Sequence, residues 1–238
     1  MMNYLRLHHD YMLSKTFITI ILILMMVIQL NTLYASQILE GYGHLDAFRE
    51  SFQEDYLNDV FMVMEYIFVF IGILTAISLS NKNNQALMVY TVTSKKDKWL
   101  FIIGRIILGV MFLLAVWISQ ICAVYAFTSG FTPYTIYLKD YFEVAIYLIL
   151  EMIQYYLITL MLMVIVSTVL IGIVPLLIFW LLEISLHSLS IELQKLLTIF
   201  VININGYGIK QINLLIFIII YIFFTINYIM VLLLKDCC

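Results

Sequence analysis

VFMVMEYIFVFIGILTAISLS, residues Val60–Ser80, is a run of 21 residues whose only charged member is Glu65. A helix needs about 20 mostly apolar residues to cross the hydrocarbon core of a bilayer, and this run has that length and composition. It is not isolated. Similar stretches cover Thr16–Ser36, Trp99–Phe127, Val144–Val169, Ile171–His187 and Ile212–Leu234. Over all 238 residues, 64% are hydrophobic and 11% charged. A soluble domain is about half apolar and about a quarter charged, so this chain has too little polar surface to cover a soluble globule. The apolar runs are continuous, where a β-barrel would show short alternating segments. The expected fold is an all-α membrane protein with six transmembrane helices. The spans at Trp99–Phe127 and Val144–Val169 are long enough to tilt. Pro175 falls in the first turns of the fifth span, where a missing N–H costs least.

Lysine and arginine placement orients the spans, because cytoplasmic loops carry the excess. An inner N-terminus puts Arg6, Lys15, Lys82, Lys95, Lys96, Lys98, Arg105 and Lys235 inside, and Arg49, Lys139, Lys195 and Lys210 outside. That is eight against four, so both termini are placed in the cytoplasm. The first outer loop is acidic, with Glu40, Asp46, Glu50, Glu54, Asp55 and Asp59 against Arg49. The first span is too long for a signal-peptide core and no clear cleavage site follows it, so it reads as an uncleaved helix.

Three segments lie between or beside the spans. Residues 1–15 mix apolar and charged side chains and fit an interfacial amphipathic helix. Residues 188–210 carry Leu189, Leu193, Leu196, Leu197 and Phe200 at helical spacing and fit an outer amphipathic or re-entrant element. Residues 81–98 form a basic cytoplasmic loop. Within it, Gln85, Leu87, Met88, Val89 and Tyr90 give an apolar patch that suits a soluble partner. Ser94, Lys95, Lys96 and Lys98 follow, and the lysines could pair with acidic residues of that partner or contact lipid headgroups.

Several chemistries lack their residues. There is no phosphate-binding Gly-rich loop with Lys-Ser/Thr, no His-Glu-x-x-His and no Gly-x-Ser-x-Gly. Adjacent His8 and His9 would diverge by about 100 degrees on a helix, which is a poor metal site. Cys122, Cys237 and Cys238 form no disulfide framework, and the terminal pair reads as an incidental tail rather than a lipidation site. The chain is read as a non-enzyme that binds no cofactor, metal or nucleic acid.

The layout resembles the ABC-2 type permease family of ABC transporters. The resemblance rests on the amphipathic N-terminal stretch, six spans, the basic loop after the second span and the helical element before the sixth. Locally it rests on Gln85–Tyr90 as a short helix, Thr91–Lys96 as a Ser-containing basic stretch, and Gly104-Arg105. Asn81–Asn84 stand where the family has an acidic residue and a glycine, and the usual proline before the Ser is missing. The resemblance implies a bacterial cytoplasmic-membrane location, a second permease copy and a separate ATPase that carries ATP and Mg. It makes Gln85, Leu87, Met88, Val89, Tyr90, Ser94, Lys95, Lys96 and Lys98 the coupling surface. The small size resembles subunits that export bacteriocins, lantibiotics or peptide toxins, or confer immunity to them. A stand-alone membrane protein that sequesters a peptide without ATP is the alternative.

Ionisable and amide side chains inside the spans are costly and normally face protein or water. Glu65, Gln120, Glu151, Gln154, Glu183 and His187 are the candidates for a substrate cavity, with Glu183 and His187 four residues apart on one face. Such a weakly acidic cavity would suit a cationic amphipathic peptide. Snorkelling at the interface or hydrogen bonding to a neighbouring helix is the competing reading for each. Tyr125, Phe127, Tyr134, Tyr137 and Tyr141 are assigned to an outer aromatic belt.

Overall fold

The computed structural model describes the backbone of residues 14–40, 49–80, 94–132, 138–165, 173–186 and 214–234. These form helices α1 (Lys15–Glu40), α2 (Arg49–Leu79), α3 (Lys95–Phe131), α4 (Leu138–Ile165), α5 (Ile173–Leu186) and α6 (Leu214–Leu234). Four segments are long and apolar enough to cross a membrane: Lys15–Ser36, Tyr56–Leu79, Asp97–Phe131 and Tyr141–Ile165. The chain is an all-α, multi-pass membrane protein. The proposed elements at 1–13, 81–93 and 187–213 lie outside the described residues, as do Tyr134, Tyr137 and the terminal cysteines.

The helices overrun the apolar spans because backbone hydrogen bonding continues past the hydrocarbon boundary. α2 starts at Arg49, so half of the acidic outer loop is helical. α3 starts at Lys95, which corrects the expectation that residues 81–98 are loop throughout. Its N-cap is Ser94, whose backbone is extended (φ −136°, ψ 161°) and whose Oγ accepts from the Asp97 amide at 3.1 Å. Asp97 closes the cap by accepting from the Ser94 hydroxyl at 2.7 Å and places a negative charge at the positive end of the helix dipole. At the other end Thr132 is extended (φ −119°, ψ 154°), the conformation forced on a residue that precedes proline, here Pro133.

α2 and α4 form the centre of the bundle. α1 packs on α2 and α3, α3 on both central helices, α6 on α4, and α5 across α2 and α4. Of the membrane-length windows, 67% is buried in both α2 and α4 and only 22% in α1. Most of the long apolar side chains of α1, from Ile18 to Tyr34, face outward, and so do Ile222, Phe223 and Ile226 of α6. The centre is tight where Gly72 meets α4. A Cβ there would lie 2.5 Å from the Met152 carbonyl oxygen, so only glycine lets the two backbones come this close.

Paired contacts set the helix directions. Phe61 meets Tyr141 and Gly72 meets Met152, so α2 and α4 run parallel. Trp117 Nε1 donates to the Ala145 carbonyl at 2.7 Å and Tyr156 Oη to the Arg105 carbonyl at 3.0 Å, so α3 runs against α4. Phe17 meets Phe112 and Gln29 meets Gln120, so α1 follows α3. Tyr221 reaches Leu150, and Tyr228 lies near Arg105 at the level of Tyr156, so α6 follows α4. Buried threonine hydroxyls are satisfied within their own helices. Thr32, Thr75, Thr128 and Thr159 each donate to the carbonyl four residues back at 2.7 to 2.9 Å, as an environment without water requires.

Candidate functional site

A polar band crosses this apolar bundle where α2, α4, α5 and α6 meet. Glu151, Gln154 and Tyr155 lie on one face of α4, at i, i+3 and i+4 spacing, and are at most 1% exposed. Glu65 enters from α2 and is 4% exposed. Val69 and Ile73 continue its face by one and two turns and pack with Tyr155 and with Phe179 of α5. The Phe179 ring stands edge-on to both Tyr66 and Tyr155, at 5.5 and 5.4 Å between centroids. Three helices are thereby locked around the band.

Tyr155 lies between α2 and α4. Its hydroxyl is within electrostatic range of both Glu65 and Glu151. From α6, the Tyr221 hydroxyl is within range of Glu151 and donates to the adjacent Leu150 carbonyl. The Gln154 amide is fully buried, and neither its oxygen nor its nitrogen makes a hydrogen bond among the described residues. Leaving a buried polar group unmet costs about 1–3 kcal/mol. The band therefore combines carboxyl groups, phenol hydroxyls and an amide with unused donors and acceptors, all under apolar cover. It can hold a polar or cationic group inside the membrane and contains no reactive constellation. No group of three His, Cys, Asp or Glu side chains that could hold a metal occurs among the described residues.

The structure puts Glu151 and Gln154 on one face of α4, while Glu65, level with Ala145 in the α2–α4 register, stands about 9 Å along the axis from Glu151; Gln120 faces α1 instead. Gln120 accepts from Gln29 Nε2 at 2.8 Å and so joins α1 to α3. Glu183 stands in α5 with its side chain outside the described residues, and His187 lies beyond them. Glu65 is packed inward rather than turned to the bundle surface, nine residues into the apolar window of α2.

Of the coupling residues, Gln85, Leu87, Met88, Val89 and Tyr90 lie outside the described residues. Ser94 serves as the α3 cap, and Lys95 and Lys96 stand in its first turn. Lys98 is 8% exposed, turned toward the bundle, so it is not offered to a cytoplasmic surface as its loop assignment required. Tyr141 is likewise not part of an aromatic belt. It is 2% exposed and donates to the Ile121 carbonyl at 2.8 Å, which makes it a core residue that pins α4 to α3.

Two residues of consequence were passed over in the sequence, and a third, Arg105, was quoted without its burial being foreseen. Tyr155 and Tyr221 looked like two of 17 tyrosines, although the i+4 spacing of Tyr155 from Glu151 was a usable signal. Arg105 was counted as an inner-loop charge, although it stands six residues into an apolar run. It is 2% exposed. Comparison with known proteins adds nothing to this site, for no family model, no curated protein and no solved structure matches the chain.

Proposed function

We propose that the chain is the membrane-spanning subunit of a bacterial ATP-driven exporter of the ABC-2 permease type, and that it moves amphipathic or hydrophobic peptides with a cationic group. The observation that carries this reading is the buried band of Glu65, Glu151, Gln154 and Tyr155. Ionisable groups inside a membrane bundle mark substrate or ion paths. A buried carboxyl group beside an amide with unused hydrogen-bonding capacity, and a second carboxyl group farther along the same bundle, suit an ammonium or guanidinium on an otherwise greasy cargo.

Helix direction supports six crossings. α4 and α6 run the same way, so the chain between Ile165 and Leu214 has to return across the bundle. α5 supplies 14 residues of that return, about 21 Å at 1.5 Å per residue. The basic residues 81–98 then lie on the cytoplasmic side, at the start of the helix that pins α4 and α6. A partner ATPase pressing there would move α3 against the band. A second permease copy completes the pathway.

The test is co-purification in detergent with the ATPase encoded beside the gene, and measurement of ATP turnover with cationic peptides. Stimulated turnover that Glu151→Gln lowers, and that Leu87→Asp with Tyr90→Asp abolishes together with the complex, is the expected result. A chain that binds peptide but forms no complex with any ATPase is instead a stand-alone sequestering protein.

A further inference from the structure

The Arg105 guanidinium is the least explained charge in the bundle. Nη1 donates to the Tyr228 hydroxyl at 3.2 Å, and the Phe101 ring centroid lies 5.1 Å away. Nε and Nη2 are buried and make no hydrogen bond, and no carboxylate pairs with Arg105, among the described residues. A charge held out of water without a counter-charge is strongly unfavourable. Tyr228 accepts from the arginine and keeps its own hydroxyl proton to donate. The unused donors include Nε–H, the Nη2 pair and one O–H, all on one side-chain pair.

The surroundings give the direction of approach. Arg105 stands eight residues beyond Asp97, where the apolar window of α3 begins, or about 12 Å along the axis. Side chains on a helix lean toward its N-terminus, which for α3 is the basic, cytoplasmic end. Lys98, Phe101, Arg105 and Gly109 share one buried face of α3, so a second cation sits two turns nearer the inner surface on the same track. α3 and α6 flank α4 and touch each other little, and the Arg105–Tyr228 hydrogen bond joins them. Gly109 lets the Tyr156 ring close the back of the site, because a Cβ at Gly109 would collide with the Tyr156 hydroxyl.

We infer that Arg105 and Tyr228 bind a phosphate oxyanion that approaches between α3 and α6 from the cytoplasmic side. A guanidinium fork grips two oxygens of a phosphate, and the phenol supplies a donor for a third, a free oxygen of inorganic phosphate or an ester or glycerol oxygen of a lipid phosphodiester, where a carboxylate has only two. Basic pockets between helices on the cytoplasmic side are suited to anionic lipid headgroups, and the same chemistry would take free phosphate. The inference does not depend on the exporter reading.

The test uses the full chain in a neutral detergent, titrated with dioctanoyl phosphatidylglycerol, inorganic phosphate or acetate, and read by native mass spectrometry and thermal stability. Phosphatidylglycerol binding that Arg105→Gln removes, and that Tyr228→Phe weakens about three- to tenfold, supports the site with a lipid source. Displacement of that lipid by millimolar phosphate, or stabilisation by phosphate alone, supports it with a soluble source. Stabilisation by acetate as strong as by phosphate overturns the assignment. So does wild-type affinity in Arg105→Gln. Should Arg105→Gln fail to fold, Arg105→Lys and Tyr228→Phe decide, because Lys keeps the charge without the fork. Unchanged affinity in both overturns the proposal.

Discussion

Replacing Gly72 with alanine sets two energies against each other at the centre of the bundle. Alanine is a better helix former than glycine by about 1 kcal/mol, which favours the substitution. The new methyl group, however, would lie 2.5 Å from the Met152 carbonyl oxygen and 3.4 Å from its carbon. An ordinary carbon-to-carbonyl-oxygen contact is about 3.3 Å or more, so α2 and α4 have to separate by roughly 0.8 Å. The obstacle is backbone, which cannot rotate away as a side chain tip could. Overpacking of this kind typically costs about 1–3 kcal/mol, and a fixed partner belongs in the upper half of that range. The expected net loss is about 1–2 kcal/mol, a factor of roughly 5 to 30 in the folded-to-unfolded ratio. The assay is equilibrium unfolding in mixed micelles, followed by circular dichroism and tryptophan fluorescence. Gly130→Ala is the control, because no heavy atom lies within 4 Å of its added Cβ; it is expected to be neutral or slightly stabilising. If Gly72→Ala proves as stable as wild type while the control behaves as stated, the close crossing of α2 and α4 is wrong.

Two further predictions concern helix contacts and crossings. In a double-mutant cycle of Gln29→Leu and Gln120→Leu, unfolding measurements are expected to give a coupling of about 0.6 kcal/mol, and no more than about 1.7, the range of interhelical hydrogen bonds in membranes; zero coupling would place α1 elsewhere. In a background with Cys122, Cys237 and Cys238 replaced by serine, Asn83→Cys is expected to resist an impermeant maleimide added to intact cells and Ser190→Cys to react. Labelling of both from the same side would remove the return crossing between α4 and α6.

The candidate site was only half legible in the sequence. Glu65, Glu151 and Gln154 stood out because an ionisable or amide side chain within an apolar run is costly wherever it lies. Gln120 stood out for the same reason, yet it contacts Gln29 rather than the carboxylate band. Cost marks such a residue without saying which neighbour offsets it. Lys98 and Arg105 were misplaced for a related reason. The positive-inside rule assigns a side of the membrane, and it says nothing of whether the head of a long side chain turns outward or is drawn along its helix into the bundle. Tyr141 failed as a belt residue because a phenol satisfied by a carbonyl from the next helix is as acceptable in the core as at the interface.

What the sequence determined by itself is the class and the rough register of the helices. Length and continuity of apolar runs require helices, because only a helix satisfies its own backbone without water. The apolar run set the third span at Trp99–Phe127, and the ends of α3 at Ser94 with Asp97 and before Pro133, which that reading did not use, follow from local chemistry that needs no tertiary partner. The tertiary structure alone decided which helices are central. The membrane-length windows of α1 and α2 are similarly apolar, yet one is mostly exposed and the other mostly buried. In water the polar face of a helix would have announced the difference. In lipid the outer face is as apolar as the inner one, so periodicity carries no inside-out signal. Packing shape, a glycine at the crossing and a few buried hydrogen bonds choose the neighbours instead.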